Sequence, residues 1–259
     1  MSDNYLSDNY ITNNIFIRDN KLYYKIKKEI KITSNNWHKY LHEYGWYKLH
    51  LKWIKRLNEF RVDKKSKNSQ FGVLDCGGSG DCFFSCVIES LNSEREVYDK
   101  YEVKDIREQV AKMITNDNFS IIIEHYKILV DINEFTDEWD PYSINGKEDL
   151  QKEIIKEGSN FLADHIIFQL FQELHNINII ILNSTTNEVA EEIKDNTSLF
   201  KLYNTGVRYS KNKKTIILSY DDEIHFRLIG YLYNNNMVTL FDNKTLPVEV
   251  KTLINNEIL

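Results

Sequence analysis

An α+β fold, a central β-sheet flanked by helices, is predicted by three features of this 259-residue sequence. Apolar residues recur at helical spacing through much of residues 83 to 175. The run Ile177-Asn178-Ile179-Ile180-Ile181-Leu182 is short, β-branched and ended by Asn183-Ser184, as a central strand should be. Strand-like segments separated by turn residues then follow to residue 241. Helices first and clustered strands afterwards are the pattern of an α+β domain.

Taken in order, residues 1 to 20 are polar and Asn-rich and read as a mobile or loosely docked terminus. Leu22, Tyr24 and Ile26 alternate with polar neighbours, which suits a short strand, while Lys27-Lys28-Glu29 suits a helix equally well. From Trp46 the apolar residues Leu49, Trp53, Leu57 and Phe60 recur every three or four positions, giving one face of an amphipathic helix. The polar run Lys64 to Ser69 reads as a linker. These features divide the chain into a mainly helical extension over residues 1–70 and a catalytic-sized domain over 71–259.

Within the second segment, Phe83 to Leu91, Asp105 to Ile114, Asn118 to Val130, Lys147 to Lys156 and Phe161 to His175 are the expected helices. After the central strand, further strands are expected at Val189 to Ile193, Thr215 to Tyr220, Ile224 to Leu232 and Met237 to Phe241. Asp221-Asp222-Glu223 would join two of them as a hairpin. Pro247 sits at the start of a last helix, Val248 to Asn255, where a first-turn proline is tolerated.

Composition narrows the function classes. A chain with 42% hydrophobic and 13% aromatic residues can bury a core of roughly 70 to 75% of its unfolded surface. Its formal charge of -6 supplies no basic face of the kind nucleic acid requires. No apolar run approaches the roughly 18 residues of a membrane span. The polar, acidic start lacks a secretory signal, so a reducing, cytoplasmic setting is expected. Three cysteines, Cys76, Cys82 and Cys86, make no disulfide framework. Ile, Lys, Asn and Tyr are abundant and there are only three alanines, which suggests an A+T-rich coding genome.

The sharpest chemical feature is Gly77-Gly78-Ser79-Gly80-Asp81-Cys82-Phe83-Phe84, a glycine-rich turn delivering a cysteine to the start of an apolar helix. A helix N-terminus carries partial positive charge and unpaired N–H groups, which favour a thiolate and can receive an oxyanion. Most cysteines are simply buried apolar residues, and Cys86 and Cys76 fit that description. Cys82 stands apart because of the glycines before it. The spacing C-x5-C-x3-C lacks the close pairs of a zinc site, and no lysine completes a phosphate-binding loop.

A cysteine nucleophile needs a base, usually a histidine distant in sequence. His38 and His42 lie four apart, yet Lys39 replaces the glutamate of H-E-x-x-H. His50 and His125 sit in mixed helical context, and His165 and His175 flank an apolar helix as ordinary core-edge residues. His225 opens the strand His225-Phe226-Arg227-Leu228 after an acidic turn, with His225 and Arg227 on one face and Phe226 and Leu228 on the other. The alternative for it is a strand-edge histidine with no special role.

Together the Cys82 and His225 segments resemble the ovarian-tumour (OTU) family of cysteine proteases, whose D-G-x-C-[LF]-[FY] loop precedes the nucleophile helix. Ser79-Gly80-Asp81-Cys82-Phe83-Phe84 carries that loop here, and His225-Phe226 matches the family's late histidine with its following aromatic. Gly158 to Leu182 looks like the family's helix and central strand. The resemblance spans roughly residues 71 to 235 and is nearest to OTU domains of large DNA viruses, which the composition suits.

The resemblance implies a papain-like OTU fold and a deubiquitinase, cytoplasmic in the host if viral, acting on ubiquitin, polyubiquitin or a ubiquitin-like protein. It implies Cys82 as nucleophile, His225 as general base, and an oxyanion hole built on the loop of Gly80 and Asp81, with no cofactor, no metal, no nucleic acid and no membrane as partner. A catalytically inactive ubiquitin-binding module is the alternative. Ser79 stands where many members have aspartate, and Arg227 where many have Asp or Asn, so the residue orienting His225 is unassigned. Asp75, Asp222 and Glu223 are candidates by proximity, as are an asparagine or a backbone carbonyl. The extension would either pack on the core through Trp46 and Trp53 or contact ubiquitin or the cleft.

Overall fold

The structure is a computed structural model, and it describes residues 8–19, 21–60, 70–184, 200–203, 205–221 and 225–258. The chain begins with an antiparallel meander of four short strands, β1 (Asn9–Tyr10), β2 (Ile15–Arg18), β3 (Lys21–Lys25) and β4 (Glu29–Lys31). A one-turn helix α1 (Trp37–Tyr40), strand β5 (Trp46–Lys48) and helix α2 (Leu51–Glu59) complete the extension.

That extension is mixed rather than mainly helical. Its tyrosines explain why: Phe16 and Tyr23 stack across β2 and β3 at 5.5 Å, and Arg18 lies over both rings. Cross-strand aromatic pairs of this kind stabilise a short hairpin. The first twenty residues are likewise docked where described, since Ile15 and Phe16 are fully buried. Trp46 belongs to β5 and not to the helix, which starts at Leu51 behind His50, whose Nδ1 accepts from the Lys52 N–H. The Lys64 to Ser69 segment lies outside the described residues.

The central sheet holds eight strands. Its main path runs β5, β6 (Phe71–Leu74), β10 (His225–Tyr233), β9 (Lys214–Asp221), β7 (Ile177–Ser184) and β8 (Phe200–Tyr203), with β11 (Asn236–Val238) on β10 and β12 (Leu240–Phe241) on β9. Among the described residues only β7 and β9 pair in parallel. Strand β6 was hidden in the sequence between the polar run and the glycines. The expected strand at 189–193 and the turn at 222–224 lie outside the described residues, and the stretch 237–241 divides at Thr239 into β11 and β12.

Five helices lie between β6 and β7: α3 (Cys82–Asn92), α4 (Val103–Lys112), α5 (Asn116–Asp131), α6 (Lys147–Ile155) and α7 (His165–His175). Helix α7 starts four residues later than its apolar pattern because Asp164 caps it, accepting from the Ile167 N–H at 3.0 Å. Helix α8 (Val248–Glu257) ends the fold.

Alternation along the strands gives the sheet two buried faces. Ile179 and Ile181 of β7 and Phe226 and Leu228 of β10 join the core formed with α3, α4, α5 and α7. Ile180, Leu182 and Ile229 face the other way, onto Trp53 and Leu57 of α2 and Val250 and Leu253 of α8. Trp53 also donates to the Ser184 hydroxyl at 2.8 Å. The molecule is therefore an α+β sheet flanked by helices on both faces.

Candidate active site

Helix α3 begins at Cys82, and its apolar side, with Phe83, Phe84, Cys86 and Val87 all buried, holds it against β10. Phe83 and Phe226 meet edge-on at 5.7 Å between ring centres, and the Cys86 thiol donates to the Phe226 carbonyl at 3.6 Å. Residues adjoining Cys82 and His225 thus pack on each other across the helix–strand interface. Cys82 itself is 8% exposed and lines a cavity of about 260 Å³ together with Gly80, Phe83 and Phe226. All three cysteines are free thiols, and burial pushes the Cys86 thiol well up, with Cys76 adding to it.

The loop before the helix is tightly constrained. Ser79 and Gly80 both have left-handed backbone, φ +63° and +90°. Gly80 presses on the turn at 158–160: a Cβ there would stand 2.3 Å from the Gly158 carbonyl carbon. No side chain but hydrogen fits. Asp81 occupies the helix-capping position yet its side chain makes no capping bond. Its carboxylate turns away, accepting from the Gly158 N–H at 2.7 Å and from two nitrogens of Arg107 at 2.6 and 2.8 Å. The cap residue therefore leaves the first-turn N–H groups of α3 unclaimed by its own side chain.

Arg107 was absent from the sequence reading. It is fully buried, and its guanidinium also donates to the Ile154 and Phe161 carbonyls and lies 4.1 Å over the Phe84 ring. Burial draws the guanidinium below its usual value while Asp81 opposes that shift. A signal existed: Arg107 shares the apolar face of α4 with Val103, Val110, Ala111 and Ile114, and an arginine on such a face needs a partner.

His225 opens β10, and its Nε2 lies 3.2 Å from Asp75 Oδ2, just beyond the end of β6. The antiparallel pairing of β6 with β10 sets Leu74 opposite Leu228, which brings the residue after the strand beside the imidazole. Asp75 also accepts from the Gly77 N–H at 3.1 Å and has the Arg227 Nε at 3.6 Å. Burial would raise the Asp75 carboxyl, but the Gly77 N–H, the His225 ring and Arg227 together outweigh it and hold it below the ordinary aspartate value. Of the three candidate acids, Asp75, which is near Cys82 in sequence, contacts the histidine; Asp222 and Glu223 lie outside the described residues.

Of the other histidines, His125 and His175 each have a buried Nε2 without a hydrogen-bond partner among the described residues. Burial lowers His38, His125 and His175. His165 stacks edge-on against His125 at 4.7 Å and borders the cavity, where Asp137 and Asp164 are both raised by burial. Among the described residues no group of three His, Cys, Asp or Glu could hold a metal, and no helix is long and apolar enough to cross a membrane.

Compared with known proteins, the sequence matches no family model and no curated protein. The fold is similar to solved OTU domains. An OTU domain in complex with ubiquitin aligns with a TM-score of 0.41 at 14% identity, covering 71% of this chain and 80% of that one. An OTU deubiquitinase from Wolbachia pipientis wMel bound to ubiquitin aligns at 0.37 and 14%, covering 68% and 98%. The OTU domain of OTUD1 aligns at 0.35 and 14%, covering 75% and 92%.

Proposed function

We propose that this chain is a cysteine deubiquitinase of the OTU type, with Cys82 as nucleophile, His225 as general base and acid, and Asp75 orienting the imidazole. The observation that carries the reading is the pairing of two features: a cysteine at an uncapped helix start behind a rigid glycine turn, and a histidine at a strand start fixed by a carboxylate. Either alone is common. The contact of Phe83 with Phe226 joins the helix that carries Cys82 to the strand that carries His225, which supports a single site.

With Nε2 turned to Asp75, Nδ1 is the ring nitrogen that would take the Cys82 proton. The thiolate would then attack the carbonyl at the ubiquitin C-terminus. The N–H groups of Cys82 and the loop of Gly80 and Asp81 would stabilise the oxyanion, an effect worth about 3 to 4 kcal/mol per donor. His225 would return the proton to the departing amine, and water would release the thioester. Residues 71–259 would form the catalytic unit and residues 1–70 an extension whose β5 and α2 complete the sheet and its second face. A source among large DNA viruses, suggested by the resemblance and the A+T-rich composition, and work in the host cytoplasm, suggested by the polar, acidic start, belong to the same proposal.

The test is a ubiquitin probe bearing a C-terminal electrophile. A covalent adduct with the native chain, lost in Cys82→Ala, is the expected result. Tight binding with no adduct would instead support a ubiquitin-binding module, the reading favoured by Arg227 competing with His225 for Asp75.

A further inference from the structure

The buried Arg107 does more than fill the core. Its guanidinium reaches three sites from two distant stretches of chain: the Ile154 carbonyl at 2.9 Å, the Phe161 carbonyl at 3.0 Å and Asp81 Oδ1. The first two bracket the turn at 158–160, and the third precedes the nucleophile. Asp81 closes the circuit by accepting from Gly158 with its other oxygen.

We propose that Arg107 is a positioning residue for the oxyanion loop, acting through Asp81. The proposal rests on the deubiquitinase reading above and extends it to a residue 25 positions beyond the nucleophile. Its physical basis is geometric. An oxyanion N–H is useful only if the peptide carrying it is held, before reaction, where the charge will form. The loop cannot hold itself, because Ser79 and Gly80 adopt left-handed conformations, open to a glycine but costly for the serine unless its surroundings impose it. What imposes them here is the turn at 158–160, against which Gly80 packs without room for a methyl group. Arg107 ties the segment carrying that turn to the core, at the Ile154 carbonyl of α6 before it and the Phe161 carbonyl just after it, and draws the Asp81 side chain off the helix start, so the capping residue does not compete for the N–H groups that would meet the oxyanion.

A planar fork is needed for this, because one donor set must satisfy carbonyls and a carboxylate in different directions. Lysine, a point charge with a flexible stem, cannot reproduce it. In Asp81→Asn the amide NH2 would face either the Gly158 N–H or the guanidinium, donor against donor.

The experiment uses the full chain as wild type, Arg107→Lys and Asp81→Asn, and follows hydrolysis of a ubiquitin C-terminal fluorogenic amide. In parallel, iodoacetamide alkylation of Cys82 is read by mass spectrometry. Alkylation needs the thiolate and no oxyanion hole, so it separates loop geometry from nucleophile quality. The expected result is a kcat lowered about 10- to 100-fold, with KM and the alkylation rate within about threefold of wild type. A kcat within threefold in both variants overturns the proposal, as does a fall in alkylation equal to the fall in kcat. Should Arg107→Lys fail to fold, Asp81→Asn, which preserves every heavy-atom position, decides alone. Wild type without ubiquitin turnover sinks the deubiquitinase reading and this one with it, whereas active wild type with fully active variants sinks only this one.

Discussion

Gly80→Ala tests the site most directly, because the cost can be worked from coordinates. The added Cβ would lie 2.3 Å from the Gly158 carbonyl carbon and 2.4 Å from the Gly158 oxygen and the Ser159 nitrogen, all backbone atoms. Ordinary contact begins at 3.4 Å, so one of the two loops must give way by about 1 Å. Alanine also dislikes φ +90°, a conformation costing about 1 to 3 kcal/mol for a residue with a side chain. Against a domain stability of about 5 to 15 kcal/mol, the protein should stay folded. Catalysis should not survive so well, because misplacing a reacting group by about 1 Å can cost about 100-fold. Turnover of a ubiquitin fluorogenic amide well below Tm, with the melting curve alongside, reads both quantities. A kcat within threefold of wild type would refute the claim that this contact sets the loop. So would a loss of rate no greater than the unfolded fraction.

Asp75→Asn should lower kcat by roughly tenfold or more, less than in a serine triad because a thiol needs less activation; unchanged kcat would remove Asp75 from the mechanism. The same substitution should flatten the acid limb of a Tm–pH curve. Asp75 is held below its ordinary 3.8 in the folded protein, so its contribution is complete above that value and is lost as pH falls beneath it. Trp53→Phe should cost about 1 to 3 kcal/mol by leaving the buried Ser184 hydroxyl without its indole donor, read as a lower urea midpoint at constant slope; an unmoved midpoint would mean that bond contributes nothing.

Much of the fold could be read from the sequence where a long periodic face or a β-branched run made the pattern unambiguous. Helices α3, α4, α5, α6 and α8 begin within two residues of expectation, and β7 was plain from Ile177 to Leu182. Of the amino-terminal meander only β3 was legible, as a short strand through Leu22 and Tyr24 that the sequence weighed equally against a helix. The meander's strands are two to five residues long, too short to show a period, and their pairing depends on aromatic contacts that only the folded chain makes. The site divides similarly. Cys82 and His225 stood out because glycines and an acidic turn mark them, and Asp75 was one of three candidate acids until the β6–β10 register set it beside the imidazole. Arg107 went unnoticed because its partners, Asp81 and the segment carrying the 158–160 turn, come from two distant stretches.

Strand β5 has an implication for anyone trimming this protein to a smaller domain. It hydrogen-bonds along β6 from Trp46 opposite Leu74 to Lys48 opposite Gly72, and β6 is the strand that delivers Asp75. Cutting the chain at residue 64 or 70 would strip that neighbour away, baring an unpaired edge and removing Trp37 and Trp46, which close over Gly72. Truncated chains that begin there invite aggregation, and a dead truncated product would report a frayed scaffold and say nothing about ubiquitin recognition by the missing part. Point substitutions on the exposed faces of the first sixty residues are the cleaner probe.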